Sequence, residues 1–200
     1  DVVTTLTVGE PNFGPPEEAI RAAEACLRTP TGTKYTAVGG TMELRRAIAK
    51  DYASRKGVQF DPASEILVSA GGKQSIYQAV HATCESGDEV LVPAPYWVSY
   101  PDIACLAGAK PVIVNRTAQS GFKMTPAQLE AALTPRSRML ILCNPCNPTG
   151  VMYTPEELAA LAKVLRKFPN VLILADEIYE RIVYGNGKHV SFAALPDMRE

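Results

Sequence analysis

Short apolar runs rich in Ile, Leu and Val recur along the chain from residue 65 onward, and longer stretches with helical periodicity separate them. The runs show little polar alternation, which is typical of strands that helices cover on both faces. We therefore expect an α/β fold with three layers and a mostly parallel sheet. The predicted strands are residues 66–69, 89–92, 111–114, 138–143 and 171–175.

Four helices are predicted beside these strands. Thr125 and Thr154 each precede a proline, with Gln or Glu three residues on, which is the pattern of a capping box with proline in the first turn. The first of these helices extends through Leu133, and the second continues with an apolar residue every three or four positions. Residues 16–28 and 42–56 predict two more amphipathic helices upstream of the strands.

The amino-acid composition and the charge balance of the chain exclude several classes of function. The chain has 200 residues, of which 46% are hydrophobic and 20% charged, so it buries a core and is not expected to be disordered. Its 20 Lys and Arg balance 21 Asp and Glu without a basic run, which argues against a nucleic-acid partner. No apolar stretch approaches the roughly 20 residues of a membrane span. Five scattered cysteines indicate free thiols, so we expect the cytoplasm or the plastid stroma.

Polar and Gly-rich segments follow the apolar runs, where open α/β sheets bind their ligands. Gly71 and Gly72 follow the first run and would let backbone N–H groups approach an anion at a helix start. A plain turn with a solvated Lys73 explains the same residues. Leu67 stands where a P-loop has its first glycine, so triphosphate hydrolysis is not expected.

Two Asn-Pro pairs in residues 144–150 (NPCNPTG) predict a rigid turn after the fourth run, with either peptide bond a candidate for the cis form. Cys143 and Cys146 also form a Cys-x-x-Cys pair, the local signature of a thioredoxin-like redox site. Such a site activates its thiol at a helix N-terminus. Pro148 and Gly150 would interrupt that helix, so a redox module is the weaker interpretation.

A carboxylate and a phenol follow the last run. Asp176 comes directly after five apolar residues, so we expect it to be poorly solvated and to need a cation. Tyr179 would lie on the same side if the chain makes a helical turn, although an N-cap aspartate beside a half-buried tyrosine is an alternative. Residues 93–100 contain Trp97, the only tryptophan, which fits either core packing or stacking on a planar ligand.

The two histidines do not indicate a metal site. His81 lies in a predicted helix and His189 in a Gly-rich loop, and neither has a cysteine or carboxylate at zinc spacing. The sequence also lacks the Gly-x-Ser-x-Gly elbow of serine hydrolases.

Together these segments describe a site for a flat, phosphorylated, protonatable ring, and pyridoxal phosphate fits each part. The chain resembles the class I, fold-type I aminotransferases, and most closely the aspartate aminotransferase branch that includes the aspartate/glutamate–prephenate aminotransferases. The motifs that carry the resemblance lie at residues 8–11 (VGEP), 34–36 (KYT), 71–74 (GGKQ), 93–101 (PAPYWVSYP), 144–150 and 176–179 (DEIY).

The resemblance implies a role for each cofactor-binding residue. Asp176 is similar to the aspartate that pairs with the pyridinium nitrogen. Tyr179 and Asn147 are similar to the pair that hydrogen-bonds the 3-oxygen of the ring, and Trp97 to the aromatic residue stacked on it. The remaining implied cofactor-binding residues are Gly71 and Gly72 at the phosphate turn, and Tyr35, which would contact the phosphate of a neighbouring subunit in a homodimer with shared active sites.

The resemblance also implies the substrates. Gly9 is similar to a glycine near the substrate α-carboxylate, and Lys73 to a lysine that meets the distal carboxylate of acidic substrates; Trp97 and Asn147 complete the implied substrate site. The implied reaction moves an amino group between aspartate or glutamate and a 2-oxo acid. Prephenate as an acceptor stays open.

Two positions depart from the family pattern. This chain has Asn12 where the family has aspartate, and Cys146 where the family commonly has a small residue such as serine. The family's Schiff-base lysine and its substrate-binding arginine are expected beyond Glu200, so no catalytic residue is assigned within the chain. We expect the chain alone to be inactive, either as part of an enzyme about twice as long or as a cofactor-binding remnant.

The implied fold is the truncated large domain of a pyridoxal-phosphate-dependent transferase. Residues 1–30 would form an N-terminal segment on the small-domain side, and residues 31–200 part of the large domain, incomplete at its C-terminus. The alternatives are another class I enzyme (an aromatic or alanine aminotransferase, or a lyase), a non-catalytic remnant that binds pyridoxal phosphate, and the dithiol redox module.

Overall fold

The computed structural model describes residues 3, 9–10 and 13–199. The chain divides into two compact units, Asp1–Val38 and Gly39–Glu200. The first unit contains helix α1 (Glu17–Leu27), which begins after Pro16 without a side-chain cap and has no buried residue. The division predicted at residue 30 stays a prediction.

A four-stranded parallel sheet forms the centre of the second unit. Its strands are β1 (Glu89–Ala94), β2 (Lys110–Asn115), β3 (Ser137–Cys143) and β4 (Leu172–Asp176), in the order β2-β1-β3-β4. Every neighbouring pair is parallel, as the run pattern predicted. The register places Cys143 opposite Asp176, so the carboxyl ends of β3 and β4 lie side by side.

Two helices of the second unit precede β1, namely α2 (Met42–Lys56) and α3 (Gly72–Thr83). Three lie between consecutive strands in the sequence: α4 (Ser99–Leu106), α5 (Pro126–Ala132) and α6 (Pro155–Leu165). Short 3₁₀ helices lie at Ala118–Ser120 and Phe192–Ala194. Both predicted capping boxes form, since Thr125 and Thr154 each cap the N–H group three residues on at 3.2 Å. In the part of the chain that the structure describes, no helix has the length and apolar character that crossing a membrane would require.

Helices cover both faces of the sheet, so the second unit has three layers. In β1 the side chain of Leu91 packs into a cluster with α5 and α6, whereas Val90 and Val92 pack into a second cluster with α3 and α4. All three side chains have no exposed surface, and each contributes about 1.5–3 kcal/mol by burial. The predicted three-layer α/β fold is therefore confirmed.

The strand predicted at residues 66–69 is wrong. These residues have no regular secondary structure, and the Val68 N–H donates a single backbone hydrogen bond, to the Gly39 carbonyl at 3.1 Å. The side chain of Leu67 is 57% exposed. A short apolar run forms a strand only where a partner strand lies alongside it, and among the described residues none pairs with this one.

Candidate functional site

One pocket lies at the carboxyl ends of the strands, beside the start of α3, and has a volume of about 170 Å³. Segments that are distant in the sequence converge there, because the parallel order of the sheet brings the ends of β1, β3 and β4 to one edge. Its lining residues are Gly72, Lys73, Ile76, Trp97, Tyr100, Cys143, Asn147, Asp176, Ile178 and Tyr179. Six of them are residues to which the resemblance assigns a cofactor or substrate role: Gly72, Lys73, Trp97, Asn147, Asp176 and Tyr179.

Asp176 ends β4, and its half-buried carboxylate lines the pocket. The Tyr100 hydroxyl donates to Oδ2 at 2.6 Å, and the Ile178 N–H donates to Oδ1 at 3.2 Å. The expected cation is not there: within the described ranges, Asp176 has only these neutral donors. A carboxylate accepts more than two hydrogen bonds, so Asp176 keeps acceptor capacity for a cationic ligand group.

Tyr100 was not assigned to the site from the sequence, yet its hydroxyl is the closest donor to Asp176. The residue is 2% exposed, and burial raises the pKa of its phenol above the usual range. Tyr100 therefore stays a neutral hydrogen-bond donor. The signal that could have found it is its place in the aromatic segment that also contains Trp97.

Asn147 and Tyr179 form a pair on one wall of the pocket. The Asn147 Nδ2 donates to the Tyr179 hydroxyl at 3.3 Å. Tyr179 shares the pocket with Asp176 because residues 177–180 make a turn, closed by a 3.0 Å hydrogen bond from the Glu180 N–H to the Glu177 carbonyl. A turn thus follows Asp176 and brings Tyr179 into the same pocket, as the sequence led us to expect of a turn at this point.

The loop that carries Asn147 is closed by backbone hydrogen bonds. The Cys146 N–H donates to the Val151 carbonyl at 2.9 Å, and the Gly150 N–H donates to the Cys146 carbonyl at 2.7 Å. The peptide bonds before Pro145 and Pro148 are both cis.

Trp97 and Lys73 lie together in the pocket lining. The Trp97 ring meets the Tyr100 ring edge-on, with centroids 5.4 Å apart and an interplanar angle of 79°. The Lys73 Nζ lies 4.9 Å from the Trp97 ring centroid, a cation–π contact worth about 0.5–1 kcal/mol when exposed. The pocket therefore combines an aromatic surface with a cation.

The N-terminus of α3 is open. Gly71 precedes the helix with φ 89° and ψ 163°, a backbone conformation that is essentially restricted to glycine. No side chain caps the helix, and a Cβ added at Gly71 would meet nothing within 4 Å. The N–H groups of a first helical turn and the helix dipole favour an anion at such a position.

A buried ion-pair cluster supports the turn behind the pocket. Lys56, whose side chain is 5% exposed, pairs with Glu177 at 2.7 Å and also with Glu180. The second oxygen of Glu177 accepts the Phe192 N–H at 2.9 Å. Lys56 and Glu177 are 121 residues apart, so no local pattern could have predicted the pair.

His189 lies near the same carboxylates, since ligand atoms of Glu177, Glu180 and His189 are within 4.8 Å of one another. Sequence spacing did not reveal this grouping. Lys56 pairs with both carboxylates, and Arg55 pairs with Glu180 at 2.8 Å, so two cations already balance the two carboxylates and we assign no metal there.

The other sequence-predicted residues lie elsewhere. Gly71 adjoins the pocket residue Gly72, whereas Gly9 and Tyr35 belong to the first unit and their roles stay predictions. Asn12 falls outside the described residues, as do the first and last positions of the motif at 8–11.

The profile of the family described as aminotransferase class I and II matches residues 1–199. The chain is 47% identical to the bifunctional aspartate aminotransferase and glutamate/aspartate-prephenate aminotransferase of Petunia hybrida over 98% of its own length and 40% of the relative's. It is also 47% identical to the aspartate/prephenate aminotransferase of Nitrosomonas europaea, over 97% of its own length and 49% of the relative's. The chain thus spans about half the length of the curated relatives it matches.

Solved structures agree with this similarity. The crystal structure of the Rhizobium meliloti aspartate aminotransferase matches 94% of this chain and 47% of that chain, with a TM-score of 0.91 and 40% identity. The Thermus thermophilus aspartate aminotransferase with maleate matches 94% of this chain and 48% of that chain, with a TM-score of 0.88 and 39% identity.

Proposed function

The chain belongs to the aminotransferase class I and II family, and from that membership we propose that it supplies the cofactor site of an enzyme that moves amino groups between an acidic amino acid and a 2-oxo acid. The family implies pyridoxal phosphate as the cofactor. One observation carries the proposal: Asp176, Trp97, Asn147 and Tyr179 line a single pocket beside the open N-terminus of α3.

The ring end of the pocket fits the cofactor. Asp176 has no cationic partner among the described residues, and its two neutral donors leave it able to accept a further proton donor. A protonated pyridine nitrogen supplies the missing positive charge. Trp97 lines the same pocket and offers an aromatic face to a ligand. Its edge-on contact with Tyr100, which donates to Asp176, fixes the position of the Trp97 ring.

The phosphate end also fits. Helix α3 has 12 residues and begins at Gly72, directly after Gly71, and no side chain caps its first N–H groups. An added Cβ at Gly72 would lie 3.5 Å from the Ile178 side chain, whereas the space beside Gly71 is open. We assign the phosphate to this helix start.

Bound pyridoxal phosphate supplies an electron-withdrawing ring that stabilises negative charge developing on the substrate carbon. Asp176 would hold a proton on the ring nitrogen, which would maintain that withdrawing power. The Tyr179 hydroxyl and the Asn147 amide lie 3.3 Å apart and would act as a pair of donors to the ring oxygen. Trp97 would stack against the ring and exclude water from it.

Relatives named as aspartate and aspartate/prephenate aminotransferases support acidic substrates. Lys73 is an exposed cation in the pocket lining, and its ammonium beside Trp97 is suited to a second carboxylate. We propose aspartate or glutamate as the amino donor, with Gly9 near the α-carboxylate and prephenate as a further acceptor. A homodimer in which Tyr35 contacts the partner's cofactor phosphate belongs to the same proposal.

The test has two arms. The purified chain is titrated with pyridoxal phosphate and with pyridoxal, and we expect the phosphate to increase affinity at least about tenfold through the helix start. The chain and the natural gene product that contains it are then assayed with aspartate, glutamate and phenylalanine as donors to 2-oxoglutarate or prephenate.

We expect the chain alone to bind the cofactor without transferring amino groups, and the gene product to prefer the acidic donors. Equal affinity for the phosphorylated and unphosphorylated compounds would contradict the phosphate assignment. A gene product that binds the cofactor but transfers no amino group would contradict the aminotransferase proposal, and a cofactor-binding remnant without activity would then be the remaining interpretation.

A further inference from the structure

Arg116 is buried without a carboxylate partner. Its side chain donates to the carbonyls of Ala94 at 2.9 Å and Pro93 at 3.0 Å, and also to that of Pro95. The residue is 7% exposed. Its fourth acceptor is the Cys146 Sγ at 3.5 Å, and no Asp or Glu is among its partners in the described part of the chain. A buried guanidinium needs an anion nearby, and Cys146 is the one ionisable acceptor among these four.

Cys146 has a second thiol next to it. Cys143 and Cys146 both line one small cavity with Arg116, whose guanidinium lies 3.5 Å from the Cys146 Sγ. The neighbouring Cys143 thiol, with Thr149 and Arg116, lowers the pKa of Cys146 to about 5 although burial opposes this. The neighbouring Cys146 raises the pKa of the Cys143 thiol, and burial adds to that effect. The pair thus combines a thiol that loses its proton easily with one that keeps it.

Cys143 lies between two cavities. It lines the main pocket, and both cysteines line a second cavity of about 10 Å³ together with Arg116. Tyr100 and Cys143 border both spaces. A cavity of that size holds about one water molecule, and Cys146 itself is only 4% exposed. Only a very small reagent is therefore suited to reach the Cys146 sulfur.

We propose that Cys143 and Cys146 form a dithiol that hydrogen peroxide oxidises to a disulfide in the wall of the cofactor pocket. The Cys146 thiolate attacks one peroxide oxygen, the O–O bond breaks, and hydroxide leaves and takes up a proton to become water. The Cys143 sulfur then attacks the resulting sulfenic acid, and its proton leaves with the displaced hydroxyl as a second water. Two thiols and one peroxide thus give one disulfide and two waters.

This arrangement differs from a thioredoxin-like site. No helix begins at Cys146, and the next helix along the described chain is α6, which starts at Pro155. The thiolate is stabilised by Arg116 and by the neighbouring thiol, without a helix dipole. Oxidation changes the pocket wall next to Asn147, whose backbone N–H donates to the Cys143 Sγ at 3.5 Å.

The proposal is tested on the reduced chain without cofactor, so its outcome does not depend on the proposed function. The chain is treated with hydrogen peroxide, its remaining thiols are alkylated after unfolding, and each cysteine peptide is quantified by mass spectrometry. Cys146→Ser removes the attacking group, and Cys84→Ser is the matched control because Cys84 is also buried and burial raises its thiol pKa.

We expect the 143–146 disulfide to form at least about tenfold faster than oxidation of any other cysteine, in the original chain and in Cys84→Ser. Cys146→Ser should leave Cys143 alkylatable. Between about pH 6.5 and 8 the rate should change less than about twofold, whereas oxidation of a cysteine in an unstructured reference peptide rises about 20-fold over the same range.

Two results would overturn the proposal. One is the recovery of both thiols after the exposed cysteines have been oxidised. The other is a rate for the pair that rises with pH as steeply as that of the reference peptide, because the sulfur would then be an ordinary thiol. Circular dichroism checks that the Cys146→Ser variant is folded. If the variant does not fold, the pH profile of the unmodified chain still tests the proposed dithiol.

Discussion

The Tyr100 hydroxyl donates a 2.6 Å hydrogen bond to Oδ2 of Asp176, across 76 residues of sequence. It joins the start of α4 to the end of β4 and orients a carboxylate that has no cation beside it in the described part of the chain. Asp176 is thus held by neutral donors and keeps the capacity to accept a hydrogen bond from a ligand.

Tyr100→Phe should lower the free energy of unfolding by about 1–2 kcal/mol, because Oδ2 loses its donor in a half-buried position. Tyr179→Phe is the control, since its hydroxyl makes only the 3.3 Å contact with Asn147, and it should cost less than about 0.5 kcal/mol. Urea titration measures both variants. Equal stabilities would show that the bond to Asp176 contributes nothing.

Gly71→Ala should destabilise the chain by about 1–3 kcal/mol, because its backbone conformation is strained for any residue with a Cβ. It should also weaken cofactor binding, since the altered turn moves the first N–H groups of α3. Gly57→Ala is the matched control: Gly57 follows α2 with φ 69°, so the change costs about 1 kcal/mol but lies outside the pocket lining. Thermal unfolding and cofactor titration separate the two effects, and similar affinities in both variants would refute the phosphate assignment.

The sequence predicted helices and strands well where a capping motif and the spacing of apolar residues indicate the same element. Helix α2 has the predicted bounds, and Thr154 caps α6 as its spacing required. The strand prediction at residues 66–69 was wrong because a strand forms only beside a partner strand, and a short apolar run does not show whether such a strand exists. Helix α4 was not predicted, and no side chain caps its start.

The candidate site could be predicted only in part. Motifs at strand ends located Asp176, Asn147 and Trp97, because a parallel sheet brings its carboxyl ends together. Contacts across the fold were not predictable: the Tyr100 hydrogen bond and the Lys56 ion pairs depend on tertiary packing that no local pattern encodes.

Lys56→Met should destabilise the chain by about 2 kcal/mol or more, because it leaves the Glu177 carboxylate without its cation and removes one of the cations paired with Glu180. Lys167→Met is the matched control. Lys167 pairs with Glu130 at 2.7 Å, but both side chains are more than half exposed, so the loss should stay below about 1 kcal/mol. Denaturant unfolding measures both, and equal losses would show that burial of the Lys56 pair is unimportant.

The same cluster should make stability depend on pH. Burial works to raise the pKa of Glu180, but hydrogen bonds from Lys56 and Arg55 outweigh it, and the pKa is lowered. A lowered carboxyl pKa stabilises the fold at every pH above the unfolded value of about 4.3, and that stability is lost as the pH falls through the folded value.

We therefore measure the free energy of unfolding as the pH is lowered. Below about pH 4.5 it should fall more steeply in the original chain than in Lys56→Met. The control Lys167→Met should follow the original chain. Parallel curves for the original chain and Lys56→Met would contradict a folded-state pKa that depends on Lys56.

The most direct test of the cofactor site uses Trp97, the only tryptophan, as its own probe. Titration with pyridoxal phosphate should quench its fluorescence to saturation, and Asp176→Ala should weaken binding at least about tenfold, since the ring nitrogen loses its partner. Asp102→Ala, an exposed carboxylate of α4, should match the original chain. Unsaturable quenching, or equal affinity in Asp176→Ala, would contradict the assignment of Asp176 and Trp97 to one cofactor site.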